Sequence, residues 1–258
     1  MSTFLNASPV FGPVRSRRLG LSLGVNMMPA SGKICTFDCI YCENGFNAER
    51  PCHEPHNSAA VVLAALEAKL EEMAAEGELP DVITFAGNGE PTVAPEFPQA
   101  IAGAVALRDR LAPGAKIAVL SNGTRADVPA VHDALMMVDD NILKLDTVDP
   151  AFIQLLDQPV GAYDVEHQIE TFASFNGHVI VQTMFLRGSY NGQPLDNTGD
   201  AYVEPWLVAL ERIRPQEATI YTVARETPAA GRAKAAPETL DAIAERVRAL
   251  GIPCQVSY

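Results

Sequence analysis

Basic residues are scarce in this chain: 19 lysines and arginines stand against 32 aspartates and glutamates over 258 residues, a formal charge of −13. That balance repels phosphate, so extensive nucleic-acid binding is not expected and any such contact has to be local. No apolar run approaches the ~20 residues needed to cross a bilayer, which excludes a membrane-spanning helix. The opening MSTFLNASPVFGPVRSRR lacks the charge-then-apolar order and cleavage site of a secretory signal, so a soluble cytoplasmic protein is expected. Cysteine is also sparse. The five present are an odd number, which argues against a disulfide framework and for reduced thiols or metal ligands. Low-complexity linkers and internal repeats are missing, so the reading is one domain over residues 1–258, with 1–17 as an N-terminal extension.

What is present is a regular alternation of two periods. RLGLSLGVNMM reads as a strand and is followed by a cysteine-bearing loop region at 29–57; SAAVVLAALEAKLEEMAAE then reads as a helix capped by Ser58 or Asn57. DVITFAG, KIAVLSNG, NILKLDT, HVIVQTMFL, EATIYTVA and PCQVSY read as further strands, separated by helical patterns, with a helix break near Pro159. RGSYNGQPLDNTGD reads as a loop after the fifth strand. Strands divided by helices imply a parallel sheet with right-handed crossovers, so the expected fold is α/β, a partial (β/α)6-type parallel barrel with the cysteine loop after its first strand. In such a fold functional groups gather at the C-terminal ends of the strands.

The loop CTFDCIYCENG places Cys35, Cys39 and Cys42 within eight positions. Structural zinc normally takes four ligands, and Cys52, His53 or His56 of PCHEPH is available as a fourth. An iron–sulfur cluster on three cysteines instead leaves one iron without a protein ligand, open to a substrate or cofactor. Both readings stand at this point. At the ends of the later strands, FAGNGEPT supplies Gly87, Asn88, Gly89 and Glu90, and LSNGT supplies Ser121 and Asn122. In NILKLDT, alternation puts Ile142, Lys144 and Asp146 on one face and Leu143 and Leu145 on the other. Gln182, Tyr221 and Arg225 lie at comparable positions, and the basic knot VRSRRLG adds Arg15, Arg17 and Arg18. Each has an ordinary alternative role as a satisfied buried group or a solvated charge, but several polar groups at successive strand ends favour a ligand pocket.

The spacing of Cys35, Cys39 and Cys42, with Tyr41 before the last, resembles the hallmark of the radical S-adenosylmethionine (radical SAM) superfamily. GPVRSRRLGLSLGVN, CTFDCIYCENG, GNGEPT and YTVARETP together look like the branch that holds the wyosine-forming tRNA enzymes and short bacterial relatives, a likeness running from about Phe11 to Pro228. The resemblance implies two cofactors: a [4Fe–4S] cluster on the three cysteines, and S-adenosyl-L-methionine (SAM) bound at the open iron. Reductive cleavage of SAM would give a 5′-deoxyadenosyl radical that abstracts hydrogen from an unidentified substrate, with an external one-electron donor such as flavodoxin or ferredoxin. It further implies that Tyr41 lies beside adenine and that Gly87, Asn88, Gly89 and Glu90 hold the methionyl ammonium. Ser121, Asn122, Lys144 and Asp146 are candidates for carboxylate and ribose contacts, and Arg17, Arg18, Gln182, Tyr221 and Arg225 for the substrate. Three other readings stand beside this one: a glycyl-radical-enzyme activator, a wyosine-like tRNA base modifier, and a non-enzymatic iron–sulfur or zinc binding module.

Overall fold

The computed structural model describes residues 5–16, 19–49, 51–224 and 229–258. The chain divides into two units, Leu5–Thr36 with Asn47–Asn141, and Phe37–Phe46 with Ile142–Tyr258.

In the first unit β1 (Val10–Ser16), β2 (Gly20–Val25), α1 (Ala59–Glu76), β3 (Val82–Phe85), α2 (Phe97–Leu111), β4 (Lys116–Ser121) and α3 (Pro129–Leu135) follow one another. Strands β2, β3 and β4 pair in parallel in that order, with helices in the crossovers. All four side chains of β3 are buried, as in a parallel sheet covered on both faces. Helix α1 starts where Ser58 Oγ accepts the Val61 N–H at 3.3 Å and ends at Gly77, whose φ of 78° suits glycine. Its buried stripe is Val62, Leu66, Leu70 and Met73, a helical spacing. Asn57, the alternative cap, instead donates from Nδ2 to the carbonyls of Asn26 (3.0 Å) and Met28 (2.7 Å), fixing the chain that leaves β2.

Strand β1 falls within the stretch read as an extension. It pairs antiparallel with β2, and the register shifts between Phe11 and Val14, across Gly12-Pro13. That irregularity conceals the period of two, and proline suits an edge strand or bulge. Phe11 lies over Gly24, where a Cβ would come within 2.2 Å of its ring, so only glycine lets the edge strand approach this closely.

Strand β5 (Asp140–Lys144) carries the chain into the second unit, which continues with α4 (Pro150–Leu156), α5 (Val165–Ser174), β6 (Ile180–Met184), β7 (Leu186–Tyr190), β8 (Gln193–Asp196), α6 (Asp200–Ile213), β9 (Glu217–Tyr221), β10 (Arg232–Lys234), α7 (Pro237–Ala249) and β11 (Cys254–Ser257). Here β5, β6, β9 and β11 are successive parallel neighbours. Most of the stretch expected as a loop is the β7–β8 hairpin, which β10 joins in a small antiparallel sheet ordered β10-β7-β8. Its hairpin turns at Asn191 and Gly192, both with positive φ (49° and 77°), as a two-residue turn matched to strand twist requires. The Asn-Gly pair was the available signal, outweighed by the polar residues around it. Among the described residues no helix is long and apolar enough to cross a membrane.

Trp206 of α6 anchors the second unit's core. It is 1% exposed and stands edge-on to Phe185 at 5.3 Å between centroids. Its indole N–H donates to the Leu145 carbonyl (3.2 Å) and Thr183 Oγ1 (3.1 Å), tying α6 to the ends of β5 and β6. Trp206→Ala is expected to destabilise the protein by about 3–5 kcal/mol through the cavity it leaves. Urea unfolding followed by far-UV circular dichroism tests this, since the variant has no tryptophan to report.

Candidate functional site

In the first unit, the turn after β3 is shaped by two glycines, Gly87 and Gly89, with φ of 126° and 140°. Ile34 bridges to Gly89 in parallel: the Ile34 N–H donates to the Asn88 carbonyl (3.1 Å), and the Glu90 N–H donates to the Ile34 carbonyl (2.9 Å). A Cβ on Gly89 would lie 1.8 Å from the Ile34 oxygen. The turn therefore grips the residue immediately before Cys35. The buried Asn88 side chain is committed to the fold: Nδ2 donates to the carbonyls of Asn6 and Pro29 at 2.9 Å, and Oδ1 accepts the Asn6 N–H at 2.7 Å. Asn26, at the end of β2, braces the same turn by accepting the Asn88 N–H at 3.1 Å.

Glu90 is 2% exposed. Its Oε1 accepts the Thr92 N–H (3.1 Å), the Thr92 hydroxyl (2.6 Å) and the Ser121 hydroxyl (2.7 Å), while Oε2 accepts the Asn122 N–H (2.7 Å). Burial raises its carboxyl above the usual carboxylate range, opposed by these hydrogen bonds. One side chain thus joins the turn after β3 to the turn after β4. Asn122 extends the link, donating from Nδ2 to Thr36 Oγ1 (2.9 Å) and to Cys35 Sγ (3.7 Å). Asn47 Nδ2 donates to the Cys35 carbonyl at 3.2 Å.

In the second unit, Cys39 and Cys42 are half-buried, and the Cys42 N–H donates to the Cys39 carbonyl at 3.0 Å. Their loop is held from the end of α4: the Asp38 N–H reaches the Asp157 and Gln158 carbonyls and the Ile40 N–H reaches the Leu156 carbonyl, each at 3.0 Å. Close by is a buried charge hub. The Lys144 ammonium donates to Asp146, Asp157 and the Tyr41 hydroxyl, and that hydroxyl donates to Asp146. The ammonium also lies 4.7 Å from the Tyr41 ring centroid and 5.6 Å from that of Phe37. Phe37 in turn meets Tyr163 edge-on at 5.2 Å.

Burial works against the Lys144 charge, but Asp146 and Asp157 outweigh it and hold the ammonium charged well above the usual lysine range. Burial also pushes the Asp157 carboxyl up to about 7 against the pull of Lys144. Burial and then Asp146 lift the Tyr41 phenol well above the usual tyrosine range.

The alternation in NILKLDT does bring Lys144 and Asp146 together. Gln182 lies beside Lys144 in the β5–β6 register, and Tyr221 packs with Tyr41 on the apolar cluster of Ile40, Phe152, Leu156 and Met184. Arg17, Arg18 and Arg225 lie outside the described residues. Asp157, Tyr163, Thr36 and Thr92 were not singled out by sequence. A lone aspartate in LLDQPV carries no motif, whereas Thr36, inside the cysteine loop, had proximity as a signal.

None of the five cysteines is in a disulfide, and the chemistry of Cys35, Cys39 and Cys42 fits an iron–sulfur cluster. Among the described residues no three His, Cys, Asp or Glu side chains are set to hold a single metal ion. A cluster makes a different demand, because each thiolate binds its own iron. Cys52, the nearest further thiol in sequence, meets Ser31 Oγ at 3.4 Å, and burial pushes the Cys254 thiol up to about 11.

Residues 31–198, which contain the cysteine loop, the turns after β3 and β4 and the Lys144 hub, match the Radical SAM superfamily. The chain belongs to that superfamily, whose members use SAM and an iron–sulfur cluster. It is similar to a UPF0026 protein of Synechocystis sp., 31% identical over 85% of this chain and 77% of that one. Among solved structures it is similar to a radical SAM methyltransferase from Sphaerobacter thermophilus (TM-score 0.66, 20% identity, 92% of this chain and 66% of that one). It is also similar to Streptococcus suis SuiB bound to S-adenosylmethionine (TM-score 0.61, 13% identity, 88% of this chain and 48% of that one). The chain thus spans about half to two thirds of these structures. Their likeness shows the fold class, an α/β partial parallel barrel, as the strand–helix alternation predicts.

Gly89→Ala is expected to displace Ile34 and lower the iron bound per chain after anaerobic reconstitution, with Gly114→Ala, where a Cβ meets nothing within 4 Å, as the control. Lys144→Met leaves two buried carboxylates without their cation and is expected to cost about 3–5 kcal/mol in chemical denaturation. Adding Asp157→Asn to that variant removes one of the two charges and should recover part of the loss.

Proposed function

We propose that the chain is a radical SAM enzyme that cleaves SAM reductively and uses the resulting radical on an unidentified substrate. The observation that carries this reading is the superfamily match across residues 31–198, which spans three cysteines at the hallmark spacing, none of them in a disulfide. Cys35, Cys39 and Cys42 hold the cluster within the loop region 29–57. When bound, the cluster and SAM supply a 5′-deoxyadenosyl radical able to abstract hydrogen, the electron coming from an external donor such as flavodoxin or ferredoxin.

The chain's own part is to bind, orient and exclude water. The Asn88 and Glu90 side chains are committed to the fold, so the share of Gly87–Glu90 in holding an ammonium group falls to backbone carbonyls. Tyr41 is the adenine neighbour, its hydroxyl anchored so that the ring keeps one orientation. Ser121, Asn122, Lys144 and Asp146 are assigned to the carboxylate and ribose side of SAM, and Gln182 and Tyr221 to the substrate side. The expected location is the cytoplasm, in keeping with reduced thiols.

The test is anaerobic reconstitution with iron and sulfide, reduction, addition of SAM and measurement of 5′-deoxyadenosine. The wild-type protein is expected to form it and a Cys39→Ala variant to fall to background. An intact, reducible cluster with no affinity for SAM would overturn the reading.

A further inference from the structure

The amide of Asn122 has a settled orientation, because its Oδ1 accepts a backbone N–H, that of Thr124, at 3.0 Å. A carbonyl oxygen must therefore occupy that end, and the NH₂ faces the other way. The surrounding hydroxyls close a ring on this assignment. Thr124 Oγ1 donates to Asn122 Oδ1 at 2.8 Å, which spends its only proton. Of the pair Thr36 Oγ1 and Thr124 Oγ1, 2.6 Å apart, Thr36 must then be the donor. Thr36 in turn accepts from Asn122 Nδ2 at 2.9 Å. That ring consumes one amide hydrogen. The nitrogen lies 3.7 Å from Cys35 Sγ, within reach for a hydrogen bond to the larger sulfur atom, and the second hydrogen is available for it. The backbone is fixed from the other side, where the Asn122 N–H is held by the buried Glu90 carboxylate.

We propose that Asn122 donates a hydrogen bond to the Cys35 sulfur and thereby raises the reduction potential of the cluster. This rests on the reading of Cys35 as a cluster ligand, its thiol here standing for the thiolate that binds iron. A donor at a ligand sulfur stabilises the more electron-rich reduced state, so removing the donor makes reduction harder. Asn122 is in this role a positioning and tuning residue, acting through Cys35. The Glu90–Asn122–Thr124 arrangement makes the donor rigid, so the effect does not depend on a mobile side chain.

The experiment measures the midpoint potential of the reconstituted full-length protein by anaerobic redox titration without SAM, read from the electron paramagnetic resonance of the reduced cluster. Asn122→Leu removes the donor, and Asn122→Asp keeps the shape and the oxygen that Thr124 binds while withdrawing the donor. Both variants, with wild-type iron and sulfide content, are expected to titrate at more negative potential than wild type. An unchanged potential in either loaded variant overturns the assignment, as does a fall confined to the aspartate variant, which would report only its added charge. If Asn122→Leu does not take up a cluster, the smaller neutral variant Asn122→Ala decides: lower potential supports the assignment and equal potential overturns it. Wild-type protein that binds no cluster would overturn the functional reading and this assignment with it, a result distinct from an unshifted potential.

Discussion

A carboxylate buried away from water must be matched by donors, and Glu90 meets that demand with neutral ones from Thr92, Ser121 and Asn122. The geometry of the first unit's strand ends depends on this match. The donors come from the turn after β3 and from the end of β4 with its turn, so Glu90 ties these two segments together. The tied segments reach Cys35 by two routes, through the Ile34 bridge on one side and through Asn122 on the other. Exchanging Glu90 for an apolar residue would leave several buried donors open at once, so the acceptor capacity and shape of its side chain matter more than its hydrophilicity.

The second unit solves a similar problem with charge. Lys144 stands among Asp146, Asp157 and two aromatic faces, so the cation is neutralised by two carboxylates and its remaining surface is covered by rings. Such a hub is a weak source of net stability and a strong source of specificity, because any rearrangement separates buried charges. The Cys39–Cys42 loop gains from it through Tyr41, whose hydroxyl lies between the lysine and Asp146. Hydrogen bonds from Asp38 and Ile40 to the end of α4 complete the anchorage.

The parallel α/β alternation was legible because strand and helix periods are local properties, and the helices fall where their apolar spacing put them. The hidden elements were those whose stability is not local. Strand β1 carries Gly12-Pro13 and owes its place to the pairing of Phe11 over Gly24, while β7 and β8 looked polar enough to be loop despite Asn191-Gly192. At the strand ends, residue types announced polar groups but not their partners. Lys144 and Asp146 could be placed together because they are two apart on a strand; Asp157 arrives from a helix end and no spacing relates it to them. Gly89 was legible as a turn residue, yet the reason only glycine fits is the carbonyl of Ile34, which is 55 positions earlier in the sequence.

The sequence also could not distinguish a polar residue that faces a ligand from one that positions a neighbour which does. Asn88 and Glu90 show the difference, since their side chains are committed to internal partners whatever else the turn binds. Asn122 is intermediate: its backbone serves Glu90, its amide oxygen serves Thr124, and its nitrogen serves Thr36 with one hydrogen to spare for a sulfur. A side chain with four polar commitments has one orientation available. For the proposed chemistry, which starts with a single electron, this rigidity would have a use, because a potential set by a fixed donor is the same in every molecule, whereas a donor that swings would spread the ease of reduction across the population.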